Sequence, residues 1–573
     1  MDAGMRKTDV AAALDPQTRR IVDAVSGERL MEDTRAIASQ VRLSGSAEER
    51  QAFTYIERRL RDAGLCTQMF EHDALISLPQ AATLQILDVG SGEIPCITHS
   101  FGASTPPAGL EGRTVYVRDV AGDLASLRGA IAVVDGLAMP TVVRKLEAAG
   151  ALGIVFLNRD PVVHEMIVST VWGSPTPAQV NQLPSVPVVS TAGTGAARLR
   201  VQLDGEHPLR CRLTASVQTE WRRLPVLTAD VVGTDEETFV LLAGHVDSWH
   251  HGAMDNGGAN AVMMEVGRLL ARGRPRRGLR LAFWSGHSHG RYAGSTWYVD
   301  SHWRELDAHC AVHLYIDSVG GRGATELGSG YCMPETRAIG AHVIAAVTDQ
   351  QYRGSRVGRS GDQSLLGIGV PSLFMTLSEH PADGPDASRD FAITGSTGGG
   401  LGWWWHTPDD TLDKLDPAAL TRDAQIYAAA VYILCTSVVL PLDYSATARE
   451  LAAALRTLQA QLGNRFDVSD CIGEADRLQA EAAQFVKEAP PVEANPALMR
   501  LGRILIPVLY TQAGRFDHDP ATSIPHLLPL VEAARLAGSD PASAEAKALH
   551  IAAVRGRNRL LQALGEARRC ISQ

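Results

Sequence analysis

Four side chains in this sequence could hold a metal ion. His245 and Asp317 each come just after a buried apolar run, Asp255 lies in a Gly-rich turn before a predicted helix, and His406 follows three tryptophans. Imidazole nitrogen and carboxylate oxygen form a ligand set suited to zinc or a similar divalent ion. Because ligands bind at the carboxyl ends of strands in open α/β sheets, we expect the four side chains to converge there.

The segments around these residues alternate between strand and helix. Apolar runs predict strands at 238–243, 279–284, 311–316 and 370–376. Apolar residues at helical spacing predict helices near 256–271, 294–303, 336–349 and 417–439. This alternation is typical of a mixed, mostly parallel sheet that is covered by helices on both faces.

A chain of 573 residues is too long for a single core, and its character changes twice. Residues 15–75 and 222–443 form the α/β layer with the candidate ligands. Residues 76–221 contain short strands and helices of their own, which predicts an inserted α/β domain. Residues 444–573 are rich in Ala and Leu and predict a C-terminal helical domain.

Four motifs occur in a fixed order along the α/β layer. They are HVDS at 245–248, GAMDNGG at 252–258, YIDSVGG at 315–321 and WHTPDDTLDKLDP at 405–417. Together they resemble the M28 family of metallopeptidases, which contains zinc aminopeptidases, the glutamate carboxypeptidase II type and transferrin-receptor-like proteins. The resemblance implies a zinc-peptidase-like fold, a protease-associated insert, and a helical dimerisation-like domain that would make a homodimer.

The resemblance also implies roles for the candidate ligands. One metal ion would take His245, Asp255 and Asp317, and a second ion would share Asp255 and take His406. Asp247 matches the Asp of the family's first motif, which would orient the imidazole of His245 and so support catalysis. These roles imply a divalent metal, most suitably zinc, with one or two ions bound.

The sequence departs from the family at its Glu-Glu pair, in which one Glu is the general base and the other binds the second metal. No acidic residue lies between Arg280 and Val299, and the matching segment, 285–290, reads SGHSHG. A histidine can do general acid–base work near neutral pH, so the loss of the Glu pair does not exclude hydrolysis.

Two alignments of this segment stay open. Counting forward from Trp284 puts His287 at the position of the base and Ser288 at that of the ligand. Counting back from Gly294 puts Ser288 at the base and His289 at the ligand. His287 is therefore a candidate catalytic base or ligand, and His289 is a candidate metal ligand.

Further residues are candidates for binding substrate. Arg291 and Tyr292 follow the His-rich segment and could face the cleft. Trp405 holds a position that lies on the oxyanion side in some family members, although its indole offers only an N–H. Asp362 belongs to SGDQ at 360–363, which resembles a family turn near substrate. Asp362 could meet a cationic group or cap the following helix.

The predicted function is metal-dependent hydrolysis of an amide or peptide bond in a specialised small substrate or amino-acid conjugate. Metal would activate the water, and a histidine would replace the Glu base. One alternative is a lyase or another metal-assisted reaction on the same fold. Another is a non-catalytic binding protein like the transferrin receptor, which the retention of all four ligands disfavours.

Composition narrows the class of protein and its partners. The net charge of −10 argues against nucleic acid as the main partner. The eight cysteines form no CxxC pair, which is typical of reduced structural residues. Residues 1–17 lack the apolar h-region of a secretory signal, and no apolar run is long enough to span a membrane. We therefore expect a cytoplasmic enzyme that acts on a small molecule or short peptide.

Overall fold

The computed structural model describes residues 13–88, 92–205, 209–234, 237–391 and 400–572. Within these ranges the strands are β1 (Cys66–Ile86), β2 (Glu93–Ile94), β3 (Ile97–Thr98), β4 (Leu110–Tyr116), β5 (Ile131–Asp135), β6 (Gly153–Leu157), β7 (Val188–Thr191), β8 (Arg210–Val231), β9 (Phe239–His245), β10 (Gly278–Trp284), β11 (Cys310–Tyr315), β12 (Tyr331–Cys332), β13 (Ser355–Arg356) and β14 (Ser372–Leu373). The helices are α1 (Pro16–Asp23), α2 (Gly27–Ile37), α3 (Ala47–Asp62), α4 (Pro140–Ala148), α5 (Gly193–Leu203), α6 (Ala259–Ala271), α7 (Ala293–His309), α8 (Arg337–Thr348), α9 (Pro417–Thr436), α10 (Tyr444–Leu462), α11 (Ser469–Glu488), α12 (Pro491–Tyr510), α13 (Val531–Arg535) and α14 (Ala544–Ile571).

Most strands belong to one mixed sheet, in the order β13-β12-β14-β11-β9-β10-β8-β4-β5-β6-β7-β3. Strand β9 pairs in parallel with β10 on one side and with β11 on the other. Every residue of β9 is buried, because helices pack on both faces of the sheet at this point. The predicted mixed, mostly parallel sheet covered by helices is confirmed.

The predicted elements of this layer match the structure closely at most positions. Strands β9, β10 and β11 and helices α6, α8 and α9 lie where the apolar patterns place them. The strand predicted at 370–376 is shorter, since only Ser372–Leu373 pairs with a neighbour. Helix α7 continues beyond its predicted end at 303 to His309, across a non-helical backbone conformation at His302.

A long two-stranded ribbon of β1 and β8 joins the α/β layer to the insert. The two strands pair antiparallel from Cys66 opposite Asp230 to Ile86 opposite Cys211. The predicted domain boundaries fall inside this ribbon, near the place where Ile76 lies opposite Glu220. The strands therefore run through these boundaries without interruption.

The insert has its own small α/β arrangement. Strands β4 to β7 pair in parallel, with α4 on one face and α5 on the other. Val143 and Leu146 of α4 and Ala196 and Leu199 of α5 are fully or almost fully buried in two separate apolar clusters. Its identity as a protease-associated domain stays a prediction.

The C-terminal helices pack on the α/β layer of their own chain. Leu455, Leu505 and Leu560 belong to the same buried cluster as Leu242 of β9 and Val312 of β11. Among the described residues, no helix combines the length and the apolar character that crossing a membrane requires. The homodimer stays a prediction.

Candidate metal centre and catalytic site

Three loops meet at the carboxyl edge of the central strands. His245 is the last residue of β9 and lies opposite Trp284, the last residue of β10. Asp317 follows β11, which pairs with β9 on its other side. Because β9, β10 and β11 are parallel, their carboxyl ends share one edge of the sheet, so the loops after them converge.

The imidazole of His245 is oriented by a backbone carbonyl. Its Nδ1 donates a hydrogen bond to the carbonyl oxygen of Asp247 at 2.9 Å. Whenever the ring is neutral, its Nε2 therefore carries the lone pair, and this atom lies 3.1 Å from Asp255 Oδ1 and 3.6 Å from Asp317 Oδ1. Among the described residues, neither His245 Nε2 nor Asp255 Oδ1 has a hydrogen-bond partner, although both atoms are buried.

His406 approaches the other oxygen of the same carboxylate. Its Nδ1 donates to the carbonyl oxygen of Glu165 at 2.7 Å, and its Nε2 lies 3.1 Å from Asp255 Oδ2. The backbone N–H groups of Met254 and Asp255 donate to Asp410, which holds the bridging segment in place. Asp255 thus presents one oxygen to each imidazole, as a carboxylate shared by two metal positions does.

The charges of the converging His and Asp side chains indicate which kind of ligand the site can bind. Burial alone would lower the pKa of His245, but the carboxylates of Asp317, Asp247 and Asp255 outweigh burial and raise that pKa well above its ordinary value. Burial alone would raise the pKa of Asp255, but His245 and His406 hold it well below its ordinary value. Buried lone pairs that face one another are favourable only with a cation between them. These residues therefore fit a divalent ion.

His287 lies against this cluster. Its ring stacks on the ring of His245 with centroids 3.8 Å apart and an interplanar angle of 10°. Its Nδ1 lies 2.7 Å from Asp362 Oδ2, and the Tyr315 hydroxyl lies 3.0 Å from a carboxylate oxygen of Asp317 and 3.0 Å from one of Asp362, so that it can donate to either. One ligand atom each from His245, His287 and Asp317 can be chosen so that all three lie within 4.8 Å of one another.

The structure places Asp247 and His289 outside this convergence. The Asp247 carboxylate accepts from the Ser44 hydroxyl and from the backbone N–H groups of His287 and Ser288. Its Oδ1 lies 3.6 Å from His245 Nδ1, on the side of the ring away from Asp255, so Asp247 supports His245 and does not face the cleft. The Nδ1 of His289 lies 2.9 Å from the Ser44 hydroxyl, and its ring packs on Trp249. Burial lowers the pKa of His289 to about 4, so its imidazole is neutral near neutral pH.

A cavity of about 430 Å³ opens over the cluster. Tyr292 and Trp405 line it, and the Trp405 ring stacks on His406. Arg291 also lines it, and its guanidinium donates to the carbonyl oxygens of Ile167 and Ser169 in the insert.

Asp362 has no exposed surface and does not line the cavity. It accepts hydrogen bonds from His287, Ser295 and Tyr315. The structure thus makes Asp362 a partner of His287. Within the described residues, its carboxylate forms no capping hydrogen bond to the short helix that follows it in sequence.

Several contributors to the site were missed by sequence reasoning. Tyr315 stands two residues before Asp317, and residues two apart on a strand point to the same face, so its proximity could have been found. Asp410 lies within a motif already singled out, as the second Asp of TPDD. The carbonyl of Glu165 carries no sequence signal, because a backbone group looks the same at every residue.

Comparisons with known proteins agree with this geometry. Residues 227–431 match the model of peptidase family M28. The chain is 25% identical over 540 residues to the probable glutamate carboxypeptidase VP8 of Zea mays, covering 80% of this chain and 73% of that protein. It is 28% identical over 216 residues to carboxypeptidase Q of Xenopus laevis, covering 36% of this chain and 40% of that protein.

Solved structures share the fold. The aminopeptidase from Aneurinibacillus sp. strain AM-1 superposes with a TM-score of 0.55 at 20% identity, covering 73% of this chain and 96% of that chain. A zinc aminopeptidase from Bacillus subtilis gives a TM-score of 0.55 at 18% identity, with 72% and 96% covered. The segment that matches peptidase family M28, residues 227–431, contains all four converging side chains, and this match supports a metallohydrolase.

Proposed function

We propose that this protein hydrolyses an amide or peptide bond in a small substrate, such as a short peptide or an amino-acid conjugate. The divalent ion, most suitably zinc, would be held by His245, Asp255, Asp317 and His406. The observation that carries the proposal is the Asp255 carboxylate, which faces one imidazole nitrogen with each of its oxygens at 3.1 Å. When bound, the ion supplies Lewis acidity toward the scissile carbonyl and toward water.

His287 is the proposed general base. If its Nδ1 donates to Asp362, its Nε2 is free of a proton and can accept one from water. The same nitrogen can then deliver that proton to the leaving amine. Asp362 keeps the imidazole in the productive tautomer and stabilises its protonated form, the role that a buried carboxylate has beside other catalytic histidines.

The same position of His287 is compatible with a second role as a metal ligand. His287 would then take the place of the missing Glu, and two ions would be bound. The two roles predict different metal contents for a variant without His287. If His287 is the base, the number of bound ions stays the same, and if it is a ligand, that number falls. A His287→Ala variant that keeps its metal but loses turnover supports the base.

The walls of the cavity support a small substrate. A volume of about 430 Å³ lies within the range of small-molecule sites. Among the described residues, no carboxylate forms an ion pair with Arg291, whose guanidinium is bonded to backbone carbonyls. Its positive charge at the wall favours substrates that carry a carboxylate, as amino-acid conjugates do.

The test combines metal analysis with turnover. The metal content of the full chain is measured beside hydrolysis of dipeptides, N-acyl amino acids and aminoacyl anilides. We expect metal-dependent hydrolysis of at least one class, lost in His245→Ala/Asp255→Ala and in His287→Ala. The exposed His251 serves as the matched control, and His251→Ala should behave like the wild type. Hydrolysis that survives in the His245→Ala/Asp255→Ala variant would exclude the proposal, and metal binding without hydrolysis of any class would favour a binding protein.

A further inference from the structure

The turn that carries His406 is bonded to the insert through backbone and side chain. The ring of His406 donates to the carbonyl of Glu165, and the N–H of Glu165 donates back to the carbonyl of His406 at 2.9 Å. His406 has a φ of 59°, a left-handed conformation that is unfavourable for a residue with a side chain. Such a conformation persists where surrounding contacts enforce it.

His164 supplies one of these contacts. Its Nδ1 lies 2.6 Å from the carbonyl oxygen of Trp405, the residue directly before His406. Its Nε2 lies 3.0 Å from Asp160 Oδ2. Both partners are acceptors, so each ring nitrogen is placed to donate a hydrogen bond. The side chain has no exposed surface, and its Nε2 lies 3.0 Å from Asp160 Oδ2 and 4.0 Å from Asp390 Oδ2.

The two carboxylates also bond the insert to residues 388–390, a segment before the turn that carries His406. Asp160 of the insert accepts from the Ser388 hydroxyl and from the backbone N–H of Arg389. Asp390 accepts in return from the backbone N–H groups of Arg159 and Asp160. Ligand atoms of Asp160, His164 and Asp390 lie within 4.8 Å of one another. Since these atoms already have donors or acceptors, the imidazole ring occupies the place that a metal ion would take.

We propose that His164 is a positioning residue for the metal ligand His406. Held by Asp160 at its Nε2, it donates from its Nδ1 to the Trp405 carbonyl and fixes the turn, so that the His406 ring points at Asp255. Residues of the insert then position a metal ligand, in addition to lining the cleft. This inference rests on the proposed function in one respect, that His406 binds metal.

Three variants of the full chain test this role. His164→Ala removes both hydrogen bonds, whereas His164→Asn keeps an amide donor near the position of Nδ1. The matched control is His99→Ala, because His99 is also a fully buried histidine of the insert, and within the described part of the chain its ring bonds to Ser190 and Met166 and not to the turn that carries His406.

The first measurement is backbone hydrogen exchange over residues 403–411 in the metal-free protein. We expect faster exchange in His164→Ala, partial restoration in His164→Asn and wild-type exchange in His99→Ala. The second is zinc affinity, by competition with a chromogenic chelator. The affinity of the ion that needs His406 should fall about 10- to 100-fold in His164→Ala, as when partners of other metal-bound histidines are removed.

A double variant shows whether His164 acts through His406. His164→Ala/His406→Ala should bind zinc no more weakly than His406→Ala alone. The inference would be overturned if the losses of zinc affinity from the two substitutions added up in the double variant. It would also be overturned if His164→Ala showed wild-type exchange and zinc affinity, or if His99→Ala lost as much as His164→Ala. If His164→Ala does not fold, Asp160→Asn takes its place with the same expectations. A wild-type protein that binds no zinc would remove the proposed function, while the exchange comparison still decides the role of His164.

Discussion

Asp362 and His287 form a buried pair in which the carboxylate oxygen Oδ2 lies 2.7 Å from the ring nitrogen Nδ1. The two residues lie on different loops, and Asp362 is held in turn by the Ser295 and Tyr315 hydroxyls. Because the carboxylate can only accept, Nδ1 carries the proton and Nε2 is left as an acceptor. The pair thus sets the protonation state that a general base needs.

The first prediction concerns Asp362→Asn. An amide donates as well as accepts, so His287 is no longer held in one tautomer, and we expect kcat to fall about 100-fold or more. Metal content should stay at the wild-type value, because Asp362 is not among the ligands. Asp349→Asn, at an exposed helix end, is the control for a lost carboxylate. An unchanged kcat, or a loss explained by missing metal, would contradict the pairing.

The second prediction concerns removal of the metal. An ion that binds only the folded protein stabilises it by about 3 kcal/mol at a hundredfold excess over Kd. We therefore expect a chelator to lower the thermal midpoint of the wild type and added zinc to restore it. In the His245→Ala/Asp255→Ala variant, neither treatment should shift the midpoint. A zinc-dependent shift of wild-type size in that variant would place the bound ion elsewhere.

The third prediction is a pH dependence of stability set by Glu335, which lies between the α/β layer and the C-terminal helices. Glu335 is 1% exposed and accepts a hydrogen bond from Thr447 at 2.7 Å. Burial raises the pKa of Glu335 from 4.5 to about 7. The pKa of Glu335 is therefore higher in the folded protein than in the unfolded chain, so the protonated carboxyl group favours folding. This contribution to the free energy of unfolding is full below about pH 4.5 and is lost as the pH rises through 7.

Glu335→Gln tests this sign. The variant cannot ionise, so we expect it to be more stable than the wild type at pH 8 by about 1 to 3 kcal/mol. At pH 4.5 the two proteins should differ much less. Urea denaturation at both pH values measures the difference. A gap of the same size at both would mean that ionisation of Glu335 is not the cause.

The fourth prediction concerns Arg291 at the cavity wall. Replacing it by Gln removes the positive charge, so KM for a substrate with a free carboxylate should rise about 10-fold or more. For the same substrate with its carboxylate capped as an amide, KM should change little. For both substrates, kcat should change little. Arg353→Gln, at an exposed position, controls for the change in net charge. Equal losses for both substrates would assign Arg291 a structural role through its carbonyl contacts.

The four side chains that converge in the structure could be picked out from the sequence as candidate metal ligands, because each follows a recognisable local pattern. His245 and Asp317 come after apolar strands, and Asp255 and His406 lie in motifs of fixed order. Such patterns are local, so they can be seen without the fold. The strands and helices of the α/β layer could be predicted for the same reason.

What could not be predicted depends on contacts between distant segments. The partner of His287 is 75 positions away, and the carbonyl that orients His406 belongs to the insert. The continuous β1–β8 ribbon could not be predicted, because Pro79 interrupts the alternation of apolar and polar residues in β1. In the structure the register shifts between Pro79 and Ala81, so the strand absorbs the proline in a bulge and continues.

The β1–β8 ribbon also has a consequence for how the chain folds. Its two strands are separated in sequence by the whole insert, and β8 is the strand against which β10 pairs. The α/β sheet therefore cannot be completed until the insert has been synthesised and its ends brought together, an entropic cost that comes before any gain from pairing. During synthesis β1 stays unpaired until β8 has been made. A truncated chain that ends within the insert would therefore leave β1 as an exposed edge that is prone to aggregation.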